Sequence, residues 1–378
     1  MKKLRLHAIR LFDGHNYSDD QVLTIENGRI TAIDNDTSDV DRVLIGLTAP
    51  GYIDLQVNGG GGALFNDSPS LDKIKRIITA HSQFGTTAML PTLITDKIEV
   101  MSQAADSMAQ AIKEKVPGIL GIHFEGPHLS VAKKGAHTAD YIRPISEEEW
   151  HILSRKDIGQ ILVTLAPETV STSDVQRMVS LGIKVCLGHT NADYKTAQAA
   201  IDAGADGFTH LFNAMSPIQG REPGVTGCAL LNDNASCGII IDGHHVDYAS
   251  CKLALKTKPV GSVFLVTDAM PPVGTEESEF AFFDRTVYLE EGKLTSTTGE
   301  LAGSALDMAT AVANTHIGLN LSLDEAIRMA SLYPARYINQ EDIRGTLSVG
   351  KQADFVVLDE KLKVQSTWIA GQTVYSKN

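Results

Sequence analysis

The sequence predicts an α/β protein: a TIM (β/α)8 barrel with a small β-sandwich domain built from both chain termini. Three observations predict it. Eight short runs rich in Val, Ile and Leu recur through the middle of the chain, with little apolar–polar alternation, as strands buried on both faces should read. Helix-like stretches separate several of them, which is the βα alternation of a parallel sheet. The two ends instead read as strands joined by tight turns. At 378 residues the chain suits a barrel of about 250 residues plus a smaller piece.

Residues 1–48 are β-rich. "QVLTIENGRITAID" is a strand, a turn at Asn27-Gly28 and a second strand, because Asn-Gly tolerates the positive φ angles of a two-residue hairpin. The barrel strands are "YIDLQV", "TAMLPTLI", "GILGIHFEG", "QILVTLAPE", "KVCLGHT", "GFTHLF", "CGIIIDG" and "SVFLVTDA". Helices are expected at 71–84, 97–115, 172–181 and 192–203. The link between the sixth and seventh strands, 213–235, reads as a long loop, a functional hint in a compact domain. An inserted hairpin is expected at 279–298 and helices at 306–318 and 323–338. The end returns to strands, "ADFVVLD" and "TWIAGQTVYSK", with a turn at Ala370-Gly371. The expected division is 1–48 plus 344–378 for the small domain and 49–343 for the barrel.

Hydrophobic residues make up 43% and charged residues 21%, enough apolar material for a large core. Lys and Arg number 33 against 46 Asp and Glu, a net charge of −13. With no basic run interleaved with aromatics, nucleic acid is not expected as a partner. An acidic surface also disfavours anionic membranes, and no run of about 18 apolar residues marks a span. The N-terminus lacks the apolar core of a signal peptide. Cys186, Cys228, Cys237 and Cys251 form no CxxC pair, which reads as a reduced, cytoplasmic protein. An anionic substrate would need local cations to override the overall charge.

In such a barrel the site gathers at the C-terminal strand ends. Those ends carry Gln56 and Asn58, His123 and Glu125, Glu168, His189, His210, the group Asp242, His244 and His245, and Asp268. Glu125, His189 and His210 are three good ligands for Zn²⁺, leaving a fourth position for water. A lone strand-end His caps a strand or bonds a carbonyl about as often. Three such residues on three strands, with Asp268 on a fourth, argue against coincidence. Asp268 reads as the general base that takes a proton from water and returns one to a leaving nitrogen. His7, His15, His81, His151 and His316 read as surface or structural, His128 as structural, and His123 as a supporting partner of Glu125 on the same strand face. Cys186 reads as packing. "GGGG" at 59–62 is followed by no Lys-Ser/Thr, so it is not a P-loop; close backbone approach near the site is its expected role.

The strings "PGYIDLQVNG", "HFEGPHL", "KKGAH", "LGHTNA", "THLFNAM", "GREPG", "DGHHVD", "LVTDAM" and "LAGSALDM" together resemble the N-acetylglucosamine-6-phosphate deacetylases of the amidohydrolase superfamily. The resemblance runs nearly end to end and keeps motif order and approximate spacing. It implies hydrolysis of N-acetylglucosamine 6-phosphate to glucosamine 6-phosphate and acetate, in amino-sugar catabolism and recycling. Many members of the superfamily carry His-x-His where this chain has Gln56-Val57-Asn58. The resemblance therefore implies one divalent ion per chain on Glu125, His189 and His210, with Gln56 near it. Zn²⁺ fits best, although Fe²⁺, Co²⁺ or Mn²⁺ would bind.

The resemblance also implies substrate contacts. His137 would hydrogen-bond the acetamido carbonyl, with Ala136 beside it. Asn213 and Ala214 would contact the phosphate, His245 the sugar phosphate end and Leu301 the sugar through its backbone; whether His244 or His245 faces the substrate stays open. Arg221 would reach the phosphate from the neighbouring subunit of a homodimer or dimer of dimers. The rival readings are another amidohydrolase acting on a related N-acyl sugar or amide, and a catalytically inactive sugar-phosphate-binding relative. "GREPG" and "FNAM" argue against the first, and the presence of Glu125, His189, His210 and Asp268 against the second.

Overall fold

The computed structural model describes residues 3–377. The chain begins with β1 (Leu4–Phe12), β2 (Tyr17–Glu26), β3 (Arg29–Asp34) and β4 (Arg42–Pro50). The β2–β3 turn is the expected one: Asn27 and Gly28 have φ of 53° and 77°, the sign a type I′ turn requires. β4 pairs parallel with β1 and runs almost directly into the barrel.

All eight barrel strands form where expected. They are β5 (Tyr52–Val57), β6 (Thr86–Ile94), β7 (Gly121–Glu125), β8 (Gln160–Leu165), β9 (Lys184–Leu187), β10 (Gly207–Phe208), β11 (Ser236–Ile239) and β12 (Val263–Leu265). They lie in sequence order in one parallel sheet. The barrel closes beyond β12, where the Asp268 N–H donates to the Gln56 carbonyl and the Asn58 N–H to the Ala269 carbonyl, each at 2.9 Å. This seam puts the end of the first barrel strand against the end of the last.

The surrounding helices follow their apolar spacing. Leu71–Ser82, capped by Ser70, buries Ile74, Ile77 and Ile78, and Ile98–Lys113 buries Met101, Ala104, Ala105 and Met108, the i, i+3, i+4 stripe of a core-facing helix. Helices Thr172–Ser180 and Tyr194–Asp202 are also present. The long loop expected over 213–235 is in part a helix, Gly224–Leu231. Gly224 and Gly227 disguised it: a Cβ on Gly224 would lie 2.7 Å from the Ser216 carbonyl oxygen, across the loop, and one on Gly227 2.4 Å from Pro223, the residue that caps the same helix. The 323–338 stretch breaks at Ser331 into Leu323–Ala330 and Leu332–Tyr337, because Pro334 has no N–H to continue the hydrogen-bond ladder. The 306–318 stretch is a helix over Met308–Ala313 followed by a wider turn over Asn314–Gly318.

The insert is a three-stranded meander rather than a hairpin: β13 (Glu279–Phe282), β14 (Arg285–Glu290) and β15 (Lys293–Ser296). The chain ends in β16 (Phe355–Leu358), β17 (Val364–Ile369) and β18 (Gln372–Ser376). β16 pairs with β4, so both termini share one seven-stranded sheet, ordered β18-β17-β16-β4-β1-β2-β3. The sandwich is this single sheet folded over its own core of Leu6, Leu23, Ile30, Phe355 and Trp368; its two ends meet where a Cβ on Gly371 would lie 2.6 Å from Ile25. A larger core fills the barrel and its helices. Among the described residues no helix is long and apolar enough to cross a membrane.

Candidate active site

Six of the barrel strands end in, or are followed by, a polar side chain that lines one cleft, Asn58, Glu125, His189, His210, His245 and Asp268, and the backbone at several of these ends is unusual. His189, His210, Ala214 and Asp268 all have positive φ, between 32° and 54°. For residues other than glycine that conformation is uncommon and costs on the order of 1–3 kcal/mol each. Backbone hydrogen bonds hold it. The His189 carbonyl accepts from Ser130 N–H and the Asp268 carbonyl from Ser304 N–H, both at 2.9 Å.

The three expected ligands come together. Glu125 Oε1 lies 3.2 Å from His189 Nε2 and 3.1 Å from His210 Nε2, and the two ring nitrogens are 2.9 Å apart. All three side chains are buried, and they form the one His/Cys/Asp/Glu cluster among the described residues that could hold a metal. His189 Nδ1 lies 2.9 Å from the Lys133 carbonyl. That acceptor fixes the proton on Nδ1 and leaves Nε2 with a lone pair aimed at the cluster. Three electron-pair donors converging in a buried place suit a cation. Burial opposes ionisation of Glu125, but the hydrogen bonds and charges of His189 and His210 outweigh it and hold its pKa well below the usual range. Burial likewise opposes protonation of His210, and Glu125 outweighs it, raising its pKa.

Asp268 stands beside this cluster. Asn58 Nδ2 donates to its Oδ1 at 2.6 Å and Gln56 Nε2 to the same atom at 3.1 Å. Gln56 Nε2 is also 3.1 Å from Glu125 Oε1, so one neutral amide ties the ligand carboxylate to the catalytic candidate. Burial, then the negative charge of Glu125, pushes the Asp268 carboxyl up to about 6. Behind the seam lies Asp54, which accepts from the Thr267 hydroxyl; burial pushes it up to about 7 against the Thr267 hydrogen bond.

A cleft of about 400 Å³ opens over these groups. Ala136, His137, Asn213, Ala214, His245 and Leu301 all line it, as the motifs implied. His137 Nδ1 accepts from the Thr95 N–H at 3.4 Å and lies 2.9 Å from the Thr95 hydroxyl; with Nδ1 as acceptor, the ring proton is on Nε2. Burial, reinforced by the charge of His189, holds the His137 pKa well below its usual value, so the ring is a neutral donor. His245, not His244, faces the cleft; His244 is exposed, while His245 Nδ1 lies 2.6 Å from Asp242 Oδ2.

Arg221 is not brought to this cleft. It is exposed in the turn 217–222, whose tip is closed by paired backbone hydrogen bonds between Gln219 and Glu222. His123 supports the barrel interior rather than Glu125 directly: Nδ1 meets the Leu55 carbonyl at 3.1 Å and Nε2 the Thr164 hydroxyl at 2.7 Å. His81 is buried, 2.9 Å through Nε2 from the Gly59 carbonyl, and so pins the glycine run beside the site. His128 is buried against the Arg143 carbonyl and Cys186 beside the Tyr337 hydroxyl, both structural.

Sequence reasoning missed Thr95, the Lys133 carbonyl and Glu300, which also lines the cleft. Thr95 and the Lys133 carbonyl act through partners 42 and 56 positions away, and Glu300, held locally by Ser296 and Thr298, reaches the cleft only through the fold of the insert. Asp54 did carry a signal, a carboxylate in a wholly buried strand. Glu168, noted at its strand end, accepts from Thr190 Oγ1 and Asn191 N–H at 2.6 Å each and so fixes the turn after His189.

Comparison with known proteins places this geometry. The model of the amidohydrolase family matches residues 47–374. An N-acetylgalactosamine-6-phosphate deacetylase from Shewanella sp. is 50% identical over 334 residues, covering 88% of this chain and 84% of the relative. An N-acetylglucosamine-6-phosphate deacetylase from Haemophilus influenzae is 37% identical over 329 residues, covering 86% of each. The crystal structure of N-acetylglucosamine-6-phosphate deacetylase from Pasteurella multocida superposes with a TM-score of 0.94 at 36% identity, covering 98% of this chain and 99% of that one.

Proposed function

Since the chain belongs to the amidohydrolase family, we propose that it hydrolyses N-acetylglucosamine 6-phosphate to glucosamine 6-phosphate and acetate in amino-sugar catabolism. The observation that carries the reading is the pairing of a Glu125–His189–His210 metal site with Asp268 through the amide of Gln56. The site takes a divalent ion. We infer one per chain and Zn²⁺ as its identity, from two imidazoles and one carboxylate. Such an ion supplies Lewis acidity, lowering the pKa of water and polarising a carbonyl.

The chain's own residues do the rest. Asp268, oriented by Asn58 and Gln56, takes a proton from the attacking water and later gives one to the amine nitrogen. A carboxyl displaced toward 6 is suited to both transfers near neutral pH. The neutral Nε2–H of His137 donates to the acyl oxygen as negative charge develops there. Asn213, Ala214 and His245 hold the phosphate end, Leu301 contacts the sugar and Ala136 sits beside the acetyl group. Arg221, at the tip of its exposed turn, completes the phosphate site of a second subunit in a homodimer or dimer of dimers. Four free, buried cysteines fit a cytoplasmic location.

One observation favours a second reading, the C4 epimer N-acetylgalactosamine 6-phosphate: the Shewanella relative of that name shares 50% identity. Acetate release from both phosphorylated epimers and from unphosphorylated N-acetylglucosamine, with metal analysis of the same sample, tests the assignment. The expected order is N-acetylglucosamine 6-phosphate first and the unphosphorylated sugar last; preference for the galacto epimer would select the second reading, and indifference to phosphate would refute both.

A further inference from the structure

The insert β13–β15 supplies part of the cleft. Phe282 closes β13, and Glu300 follows β15 immediately before Leu301; all three line the cavity, next to Met270 and Ile94. A carboxylate in a cleft that receives a phosphate dianion repels it, unless the carboxylate meets an uncharged part of the ligand.

The surroundings of Glu300 fix both its charge and its free edge. Oε2 accepts from Ser296 Oγ at 2.8 Å and from the Thr298 hydroxyl; Arg285 Nη1 stands 3.9 Å from the same oxygen. The Ser296 N–H donates to the Glu300 carbonyl at 2.9 Å, so the residue is tied to β15 by backbone and side chain together. Oε1 has no hydrogen-bond partner among the described residues. The hydroxyls of Thr298 and Ser296 bring the Glu300 pKa down to about 2. An ionised carboxylate only accepts hydrogen bonds, so its partner must be a donor. Leu301, Phe282, Met270 and Ile94 line the same cleft, and the Glu300 side chain is 41% exposed. The donors of an N-acetylhexosamine 6-phosphate are its ring hydroxyls and its acetamido N–H; with the acetamido group assigned to the strand ends, the hydroxyls remain.

We propose that Glu300 is a specificity-determining residue whose Oε1 accepts a hydrogen bond from a ring hydroxyl of the bound sugar. The proposal rests on the reading of the cleft as a hexosamine 6-phosphate site. It assigns the insert a function, carrying a hydroxyl sensor to the edge of a barrel whose own strand ends serve the acetamido group. Sites that hydrogen-bond a substrate hydroxyl reject analogues lacking it.

The test begins with the intact wild-type enzyme on both phosphorylated epimers; no turnover of either would overturn the reading of the cleft and this proposal with it. Given turnover, Glu300→Ala should lower kcat/KM by about 10- to 100-fold, the value of a hydrogen bond to a charged group, mainly through KM, and Glu300→Gln by less. Against 1-, 3- and 4-deoxy analogues of the preferred substrate, the loss should vanish for the analogue lacking the contacted hydroxyl and persist for the others. Inorganic phosphate, used as a competitive inhibitor, should bind Glu300→Ala at least as well as wild type, because a negative charge has gone. Unchanged kcat/KM, or an equal loss on all three deoxy analogues, would overturn the role.

Discussion

The two halves of the cleft are built differently. The half holding Glu125, His189, His210 and Asp268 stands on strand ends, is buried, and ties its side chains to one another at 2.9–3.2 Å. The half assigned to the phosphate stands on loops: Asn213 and Ala214 are half-buried, and Arg221, outside the cleft of its own chain, is exposed at a turn tip. The difference teaches where each demand is met. Proton transfer and metal binding need groups fixed to within a fraction of an ångström, which a closed barrel provides. Recognition of a charged group tolerates looser placement, because charge–charge attraction falls off slowly with distance. It can therefore be supplied by loops, and even by a second chain.

The sharpest way to break this comparison is at the reacting half. Asp268→Asn keeps the shape but cannot take a proton. Turnover should fall by about 10²–10⁴-fold with metal content nearly unchanged, whereas His210→Ala should lose the metal as well. Metal analysis and single-turnover rates separate the two; an Asp268→Asn enzyme with half the wild-type turnover would remove Asp268 from the mechanism.

Next in size is the phosphate half. Arg221→Ala should lower kcat/KM by about 10- to 100-fold for the phosphorylated sugar and hardly at all for the unphosphorylated one. Mixing Arg221→Ala chains with Asp268→Asn chains should restore activity, since one site of each mixed dimer then has an intact Asp268 and its partner's Arg221. If mixed dimers form and nothing returns, Arg221 does not act across subunits.

A smaller effect should appear at the hydrogen bond between Asn58 and Asp268. Removing a donor to the charged form raises a carboxyl pKa. Asn58→Ala should therefore move the acid limb of the pH–rate profile upward and slow turnover about tenfold. An unmoved limb would show that Asn58 only fills space.

The smallest effect on catalysis, and one visible in stability, concerns His81 behind the glycine run. Burial lowers its pKa from 6.5 to about 4, so below pH 6.5 the unfolded chain binds a proton that the folded chain refuses. Stability should fall as the pH drops from about 6.5 to 4, on the order of 3 kcal/mol for this group alone. His81→Gln keeps a donor for the Gly59 carbonyl but cannot titrate. Denaturation at both pH values should show a shallower dependence in the variant, with neutral-pH activity retained.

How much of this was legible in the sequence follows from the range of the forces involved. The eight barrel strands, the Asn27-Gly28 turn and the strand-end Glu125, His189, His210 and Asp268 were readable, because burial on both faces, positive φ and strand ends leave local traces. The motifs carried His137, Asn213, Ala214, His245 and Leu301 to the cleft that they line. What only tertiary structure decided is every choice made by residues far apart in the chain. The helix at Gly224–Leu231 starts at a glycine with positive φ whose missing Cβ is required by the Ser216 and Pro217 carbonyls of the preceding loop. The tautomers of His189 and His137 are set by Lys133 and Thr95. The choice of His245 over His244 is made by where the loop after β11 lies against the cleft. The insert's Glu300 reaches the site through a three-stranded fold that its own residues do not announce. Composition and spacing fix what a segment prefers by itself; a hydrogen bond across 42 or 56 positions exists only once the closed barrel has brought its two ends together.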